Sequence, residues 1–136
     1  MRPSIIQSTT HQWLLSFIIF NLVSTAFHYT DNAIFVSQYP EPTWFTTAGV
    51  FAAWFVMTPF ALLGYWLYTQ GKHWIAYSCL GFYSITSLSS PVHYLYPLAE
   101  QMTLKMHGLI WLDAIAGLTL VGWLIYSIRL ETKAML

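Results

Sequence analysis

The stretch Gln12–Asp31, QWLLSFIIFNLVSTAFHYTD, decides the fold. It carries no formal charge until its last residue. As a helix it would extend about 30 Å, the thickness of a bilayer's hydrocarbon core. Within it Asn21, Ser24, His28 and Asp31 follow one another at steps of three, four and three, which is one face of a helix. Thr25 and Asn32 flank that row. A polar stripe of this kind is unfavourable against lipid, so it predicts a helix whose marked face turns toward other helices.

The rest of the chain supplies those helices. Three further apolar stretches follow, at about 43–68, 73–94 and 102–128, joining the first at 12–31. The breaks have local causes. Pro40-Glu41-Pro42 cannot continue a helix in hydrocarbon, and Thr69-Gln70-Gly71-Lys72-His73 is a polar turn. Pro91 and Pro97 bracket the third loop, which Glu100 and Gln101 complete. Pro59 lies within the second stretch, where a membrane bundle tolerates proline and a bend is expected. Ser24-Thr25-Ala26 has the small residues of a signal-peptidase site, but the apolar pattern continues past it and predicts a retained helix. The expected architecture is all-α, a single four-span transmembrane domain over residues 1–136, packed as a four-helix bundle.

Composition agrees. Of 136 residues, 57% are hydrophobic and 7% are charged, against about 25% charged in soluble domains. So few charges cannot cover a surface in water, and the bilayer is the expected partner. The formal net charge is zero, which gives no footing for nucleic acid. The lone Cys79 excludes an intramolecular disulfide and reads as a buried thiol. Basic residues set the orientation: Arg2, Lys72, Arg129 and Lys133 fall on one side of a four-span chain. Lys105, Asp31, Glu41 and Glu100 fall on the other. By the positive-inside rule both termini are cytoplasmic. Trp13, Trp44, Trp66 and Trp74 lie near span ends, as an interfacial belt requires.

Topology then gathers polar groups at the extracytoplasmic end. His28 and Asp31 end the first span, His93 ends the third, and His107 begins the fourth. Asp113 lies about 9 Å deeper than His107 and about 120° around the helix from it. A carboxylate at that depth must be paired, protonated or functional. Ser84, Ser87 and Ser90 form a second polar row, which close helix packing alone can explain. The ligand-binding set expected from these positions is Asn21, Ser24, His28, Asp31, Ser87, His93, His107 and Trp111. Phe27, Tyr29, Trp54, Phe55 and Tyr83 are expected to add aromatic lining. Proton transfer, where it occurs, would fall to His28, Asp31 and Asp113.

Three function classes fit this pattern. The first is binding, or conversion, of a lipid-like small molecule with a polar end. The second is a metalloprotein with zinc, copper or iron on His28, Asp31, His93 and His107, or a haem protein using a histidine pair in which His11 and His73 also compete. The third is an accessory subunit in a homo-oligomer or larger membrane complex.

The chain also resembles the small four-helix proteins of the emopamil-binding and sigma-2 receptor superfamily, EXPERA. The residues carrying the likeness are Trp13-Leu14-Leu15, Asp31, Tyr39-Pro40 and Pro42-Thr43-Trp44-Phe45. They continue through Thr58-Pro59-Phe60, Tyr68, Gly71, Trp74-Ile75 and Tyr83-Ser84, covering roughly the first 85 residues. The resemblance implies a pocket for sterols or related amphiphiles inside the bundle, with Asp31 at the family's acidic position ending the first span. The second span has no acidic residue where the family usually carries one. That departure favours binding or transport over double-bond isomerisation.

Overall fold

The computed structural model describes residues 5–97 and 101–135. Arg2 and Glu100, which enter the charge asymmetry, lie outside those described residues. Four α-helices form the chain: α1 (Ile5–Ile34), α2 (Thr47–Thr69), α3 (His73–Leu88) and α4 (Leu104–Met135). Two 3-10 turns, Val36–Gln38 and Ser90–Leu95, sit in the connections after α1 and α3. There is no strand among the described residues.

Three helices contain segments long and apolar enough to cross a membrane: Thr10–Ile34, Thr47–Thr69 and Leu104–Lys133. The fourth expected span is shorter than the sequence suggests. α3 stops at Leu88 after 16 residues, about 24 Å, instead of continuing to residue 94. Pro91 is the cause, because it has no N–H to give the preceding turn and disfavours helical geometry at Ser90. The chain tightens instead: Ser89 N–H bonds to Ile85 O at 2.9 Å and Val92 N–H to Ser89 O at 2.9 Å. α2 likewise begins at Thr47 rather than near Thr43. Thr46 caps it, its Oγ1 accepting from Gly49 N–H at 3.1 Å. The helix runs on through Pro59, and the Thr58 hydroxyl donates to Trp54 O at 2.8 Å. Gly71 makes the α2–α3 turn with φ of 73°, a conformation glycine takes without steric cost.

The helices pack as a square. α1 lies against α2 and α4, α3 lies against α2 and α4, and α1 and α3 face each other across the diagonal with little direct packing. Partner pairs give the directions. Thr25 meets Trp54 while Thr47 meets Ala33, so α1 and α2 are antiparallel. His28 meets Asp113 while Asp31 meets Lys105, so α1 and α4 are antiparallel too. Tyr77 meets Glu131 while Ser90 meets Asp113, which sets α3 against α4 the same way.

The interior is layered. Leu14, Ile18, Leu80, Tyr83, Leu120 and Leu124 belong to a buried apolar cluster in the half holding the α1 N-terminus. Tyr39, Met102, Met106 and Ile110 form a second cluster at the other end. Along α4 the residues between the two clusters run from Trp111 to Thr119, with Asp113 and Gly117 among them. Facing this layer, Asn21, Ser24, Thr25, His28 and Asn32 of α1 are all buried, as the stripe in the sequence requires. Leu15, Ile19, Val23 and Phe27 on the same helix are exposed.

Close approach at this level depends on Gly117. A Cβ there would stand 2.9 Å from Ser87 Cβ. We expect Gly117→Ala to destabilise the protein by about 1–3 kcal/mol through overpacking. Gly108 has open space around it, so Gly108→Ala in the same helix should raise stability by up to about 1 kcal/mol. Thermal unfolding in one detergent checks both. Equal effects at the two positions would contradict this packing.

Candidate functional site

The centre of the site is a buried triangle formed by three elements. Asp113 of α4 is fully buried, and its Oδ2 accepts from the Ser90 hydroxyl at 2.6 Å. The same oxygen lies 2.9 Å from His28 Nδ1 of α1, and Ser90 Oγ lies 3.0 Å from that nitrogen. Ser90 comes from the 3-10 turn, so the early end of α3 is what delivers it. A carboxylate removed from water requires such partners. Because Asp113 occupies the Nδ1 side, the hydrogen of that edge points to the carboxylate and Nε2 is left over. This geometry excludes a serine–histidine–acid nucleophile, in which the hydroxyl and the acid must lie on opposite ring nitrogens. Here both sit on Nδ1.

Beside the triangle is a cavity of about 270 Å³. His28, Asn32, Glu41, Ser90 and His93 contribute its polar lining, and Phe45, Val50, Ala53 and Val92 much of its apolar lining. Gly49, Ala53 and Val92 also reach the outer surface of the bundle. The cavity therefore opens sideways, between α2 and the Ser90–Leu95 turn.

Its polar residues are only partly matched to one another. Asn32 Nδ2 donates to Glu41 Oε1 at 2.8 Å and approaches His93 Nε2 at 3.4 Å. His93 Nδ1 stands 3.2 Å from Glu41 Oε1. Four buried atoms in these lining residues have no hydrogen-bond partner in the protein: His28 Nε2, Asn32 Oδ1, Glu41 Oε2 and His93 Nδ1. The His28 and His93 rings meet edge to face, with centroids 5.3 Å apart. Burial raises the Glu41 carboxyl above its ordinary range, against the opposing effect of the Asn32 amide.

A clamp outside the cavity holds the Glu41 strap. Asp31 accepts from Tyr39 OH at 2.9 Å and from Lys105 Nζ at 2.5 Å. The Lys105 ammonium also lies 3.9 Å from the centre of the Phe35 ring. Burial and the Asp31 hydrogen bond both raise the Tyr39 phenol's pKa.

The residues expected from sequence thus separate. The structure brings His28, His93 and Asp113 together. Asn21 and Ser87 are joined, Ser87 donating to Asn21 Oδ1 at 2.6 Å, but they lie deeper in the polar layer with Ser24 and do not line the cavity. Asp31 is turned to Tyr39 and Lys105 and does not line the cavity. His107 bonds Tyr94 OH at 2.9 Å, with the two rings stacked, and stays clear of the other histidines. Trp111 is 56% exposed. Two residues along a helix lie roughly 200° apart, so an inward Asp113 sends Trp111 outward. Phe27 and Phe55 are exposed as well. Tyr29 does line the cavity, whereas Trp54 and Tyr83 bond Thr25 deeper in the bundle.

As they stand, His28, Asp31, His93 and His107 do not surround a common point. Among the described residues no three His, Cys, Asp or Glu side chains are grouped to hold a metal ion. His11 and His73 both contact Tyr68 at the opposite end of the bundle. His73 also pairs with Glu131, which accepts from Tyr77 OH at 2.7 Å.

Sequence reading missed Glu41, Asn32 and Ser90 as site residues. Ser90 belonged to a recognised serine row, and Asn32 flanked the stripe. The signal for Glu41 was its place between two prolines. A rigid Pro40-Glu41-Pro42 unit can fold back over the helix that precedes it, whereas a flexible loop would leave the carboxylate in solvent.

Comparison with protein-family models, with curated proteins and with solved structures finds no match to this chain.

Removing one member of the buried pair should be severe. Asp113→Ala is expected to cost about 3–5 kcal/mol, because it strands the polar atoms of His28 and Ser90. In a double-mutant cycle, His28→Ala combined with Asp113→Ala should cost clearly less than the sum of the two single changes. Additive losses in chemical unfolding would show that the two side chains do not depend on each other.

Proposed function

We propose that this chain is a multi-pass membrane protein that binds the polar end of a lipid-like small molecule in the cavity beside His28. Three apolar helices support the membrane setting. The 24 Å α3 then completes a fourth crossing, with its 3-10 turn at the outer interface. Lys72, Arg129 and Lys133 at one end of the bundle favour cytoplasmic termini. The cavity accordingly opens on the extracytoplasmic half.

One observation carries the binding reading. Four residues lining a single cavity, His28, Asn32, Glu41 and His93, each keep a buried polar atom without a partner in the protein. Such atoms are costly in a folded interior, and four of them around one cavity favour an outside molecule that completes the hydrogen bonding there. The volume sets the size of that molecule. At about 270 Å³ the cavity is slightly below the roughly 300–1,000 Å³ usual for drug-sized ligands. It suits a head group, while an apolar remainder leaves past Gly49, Ala53 and Val92 toward lipid. The EXPERA resemblance supplies the ligand class on this reading, a sterol or related amphiphile. The cavity chemistry asks for a head that both donates and accepts hydrogen bonds.

The test is photolabelling of the full chain in nanodiscs with a photoreactive sterol and, separately, a photoreactive fatty acid. We expect labels to concentrate on Val50, Ala53 and Val92. Ala53→Trp should reduce that labelling about tenfold, equivalent to about 1.4 kcal/mol of binding. Labels spread evenly over the exposed faces of α2 and α4, and unchanged by Ala53→Trp, would overturn the proposal.

A further inference from the structure

We infer that the head group this cavity takes is a neutral polyol, with two or more neighbouring hydroxyls on an apolar tail, as in a glycerol or single-sugar lipid. This rests on the cavity being a lipid site, as proposed above, and narrows the chemistry of the head.

The free donors and acceptors of the wall decide the class. The His28 Nδ1 hydrogen points to Asp113 Oδ2, 2.9 Å away, so Nε2 is an acceptor. Asn32 Nδ2 donates to Glu41 Oε1 at 2.8 Å, which fixes the amide and leaves its Oδ1 as a second acceptor. Glu41 Oε2 is a third. His93 differs. Its Nε2 accepts from the Asn32 amide at 3.4 Å, so the ring hydrogen is on Nδ1, a donor. That nitrogen stands 3.2 Å from Glu41 Oε1, where a bare lone pair would be repelled. None of these four atoms has a partner in the protein. His28, Asn32 and His93 are buried, and the Glu41 side chain is 3% exposed. The hydroxyls of Tyr29, Thr86, Ser89 and Ser90 in the same wall already donate within the protein. The cavity thus offers three acceptors and one donor.

Common lipid heads match this set unequally. A carboxylate or phosphate brings acceptors and negative charge. No lysine or arginine is among the described residues lining the cavity, and Lys105 is held outside it by Asp31. A single hydroxyl has one hydrogen to give, so two of the three acceptors stay unmatched, each costly when buried. An ammonium gives three hydrogens but accepts none, and the His93 N–H stays unmet. A diol or triol brings several O–H donors together with oxygen lone pairs. It satisfies both kinds at once, and it meets Glu41 Oε2 whether that carboxyl is ionised or protonated. No partner inside the protein is exchanged, since Asn32 keeps Glu41 and His28 keeps Asp113. At about 270 Å³ the cavity has room for a glycerol unit or one sugar ring.

The test varies the head on one tail. The full chain in phosphatidylcholine nanodiscs is photolabelled with an alkyl acid, alcohol, amine, glycerol ether and glucoside, all sharing the same diazirine-bearing alkyl chain. The glycerol ether or the glucoside should label Val50, Ala53 and Val92 at least about tenfold more than the other three heads do. The stronger of the two names the source of the polyol. Glu41→Gln replaces the free Oε2 acceptor with N–H donors. It should lower labelling by the polyols and raise labelling by the acid, each by about threefold or more. A merely structural loss would not raise the acid. His107→Gln should keep the wild-type order of heads, and circular dichroism confirms that both variants fold. Acid, alcohol or amine labelling those three residues as strongly as the polyols would overturn the inference and leave the lipid site standing. An unchanged order of heads in folded Glu41→Gln would overturn it too. Labels from every probe spread evenly over α2 and α4 would remove the lipid site itself, and the polyol with it.

Discussion

The Asp113 carboxylate is the constraint on which the rest of the site depends. Fully buried on α4, it requires donors, and none can come from its own helix, where backbone N–H groups are already used. Its partners arrive from α1 and from the turn after α3. One acidic residue thereby ties three elements at one level of the bundle. The desolvation cost of such a group commonly equals or exceeds what its partners return. An apolar residue would serve stability as well, so the pairing is better explained by what it does to His28. It fixes the ring and commits Nδ1, leaving Nε2 for the cavity.

The same logic explains why an interrupted helix is useful here. Had α3 continued as regular helix, Ser90 and His93 would lie about 300° apart around its axis, still near one face but further down a straight cylinder. The 3-10 turn started by Pro91 instead folds Ser90 against Asp113 and His93 against Asn32. Apolar clusters lie on either side of this layer. Leu80, Leu120 and Leu124 close it from one end, and Met106, Ile110 and Tyr39 from the other. Access is left to the side, where the small Gly49 and Ala53 line the wall.

The fold was largely legible because its signals are local. Four apolar stretches, the prolines between them and the three-four-three stripe on α1 need no knowledge of distant contacts. The stripe's period marks an inward face, and Asn21, Ser24 and His28 are buried. Asp31, at its end, is drawn away from the cavity by Tyr39 and Lys105, a competition that helical phase alone cannot reveal. Asp113 and His28 were both legible as costly groups needing partners, but not as partners of each other. That pairing depends on the rotation of α4 against α1, which no spacing within either helix encodes. The end of α3 is hard to read in the sequence for a simpler reason. Ser89 and Ser90 are polar enough to fit a helix or a turn, and Pro91 acts on the residues before it.

The two acids at this end divide their work through the strap that joins α1 to α2. Asp31 and Glu41 are ten positions apart, near the same end of the bundle, and two like charges sharing a cavity would raise each other's energy. The structure separates them. Lys105 and Tyr39 hold Asp31 at the rim, where its charge is neutralised by the ammonium. Tyr39 is buried against Met106 and Ile110, so the strap carrying it is pinned two residues before Glu41. Pro40 and Pro42 then restrict the backbone on both sides. Glu41 is directed inward beside that clamp, its N–H bonding back to Tyr39 O at 2.8 Å. The strap's exposed part, including Trp44, is free of that task. A cavity carboxylate held this way has its position set before any ligand arrives, which lowers the entropic cost of binding to it.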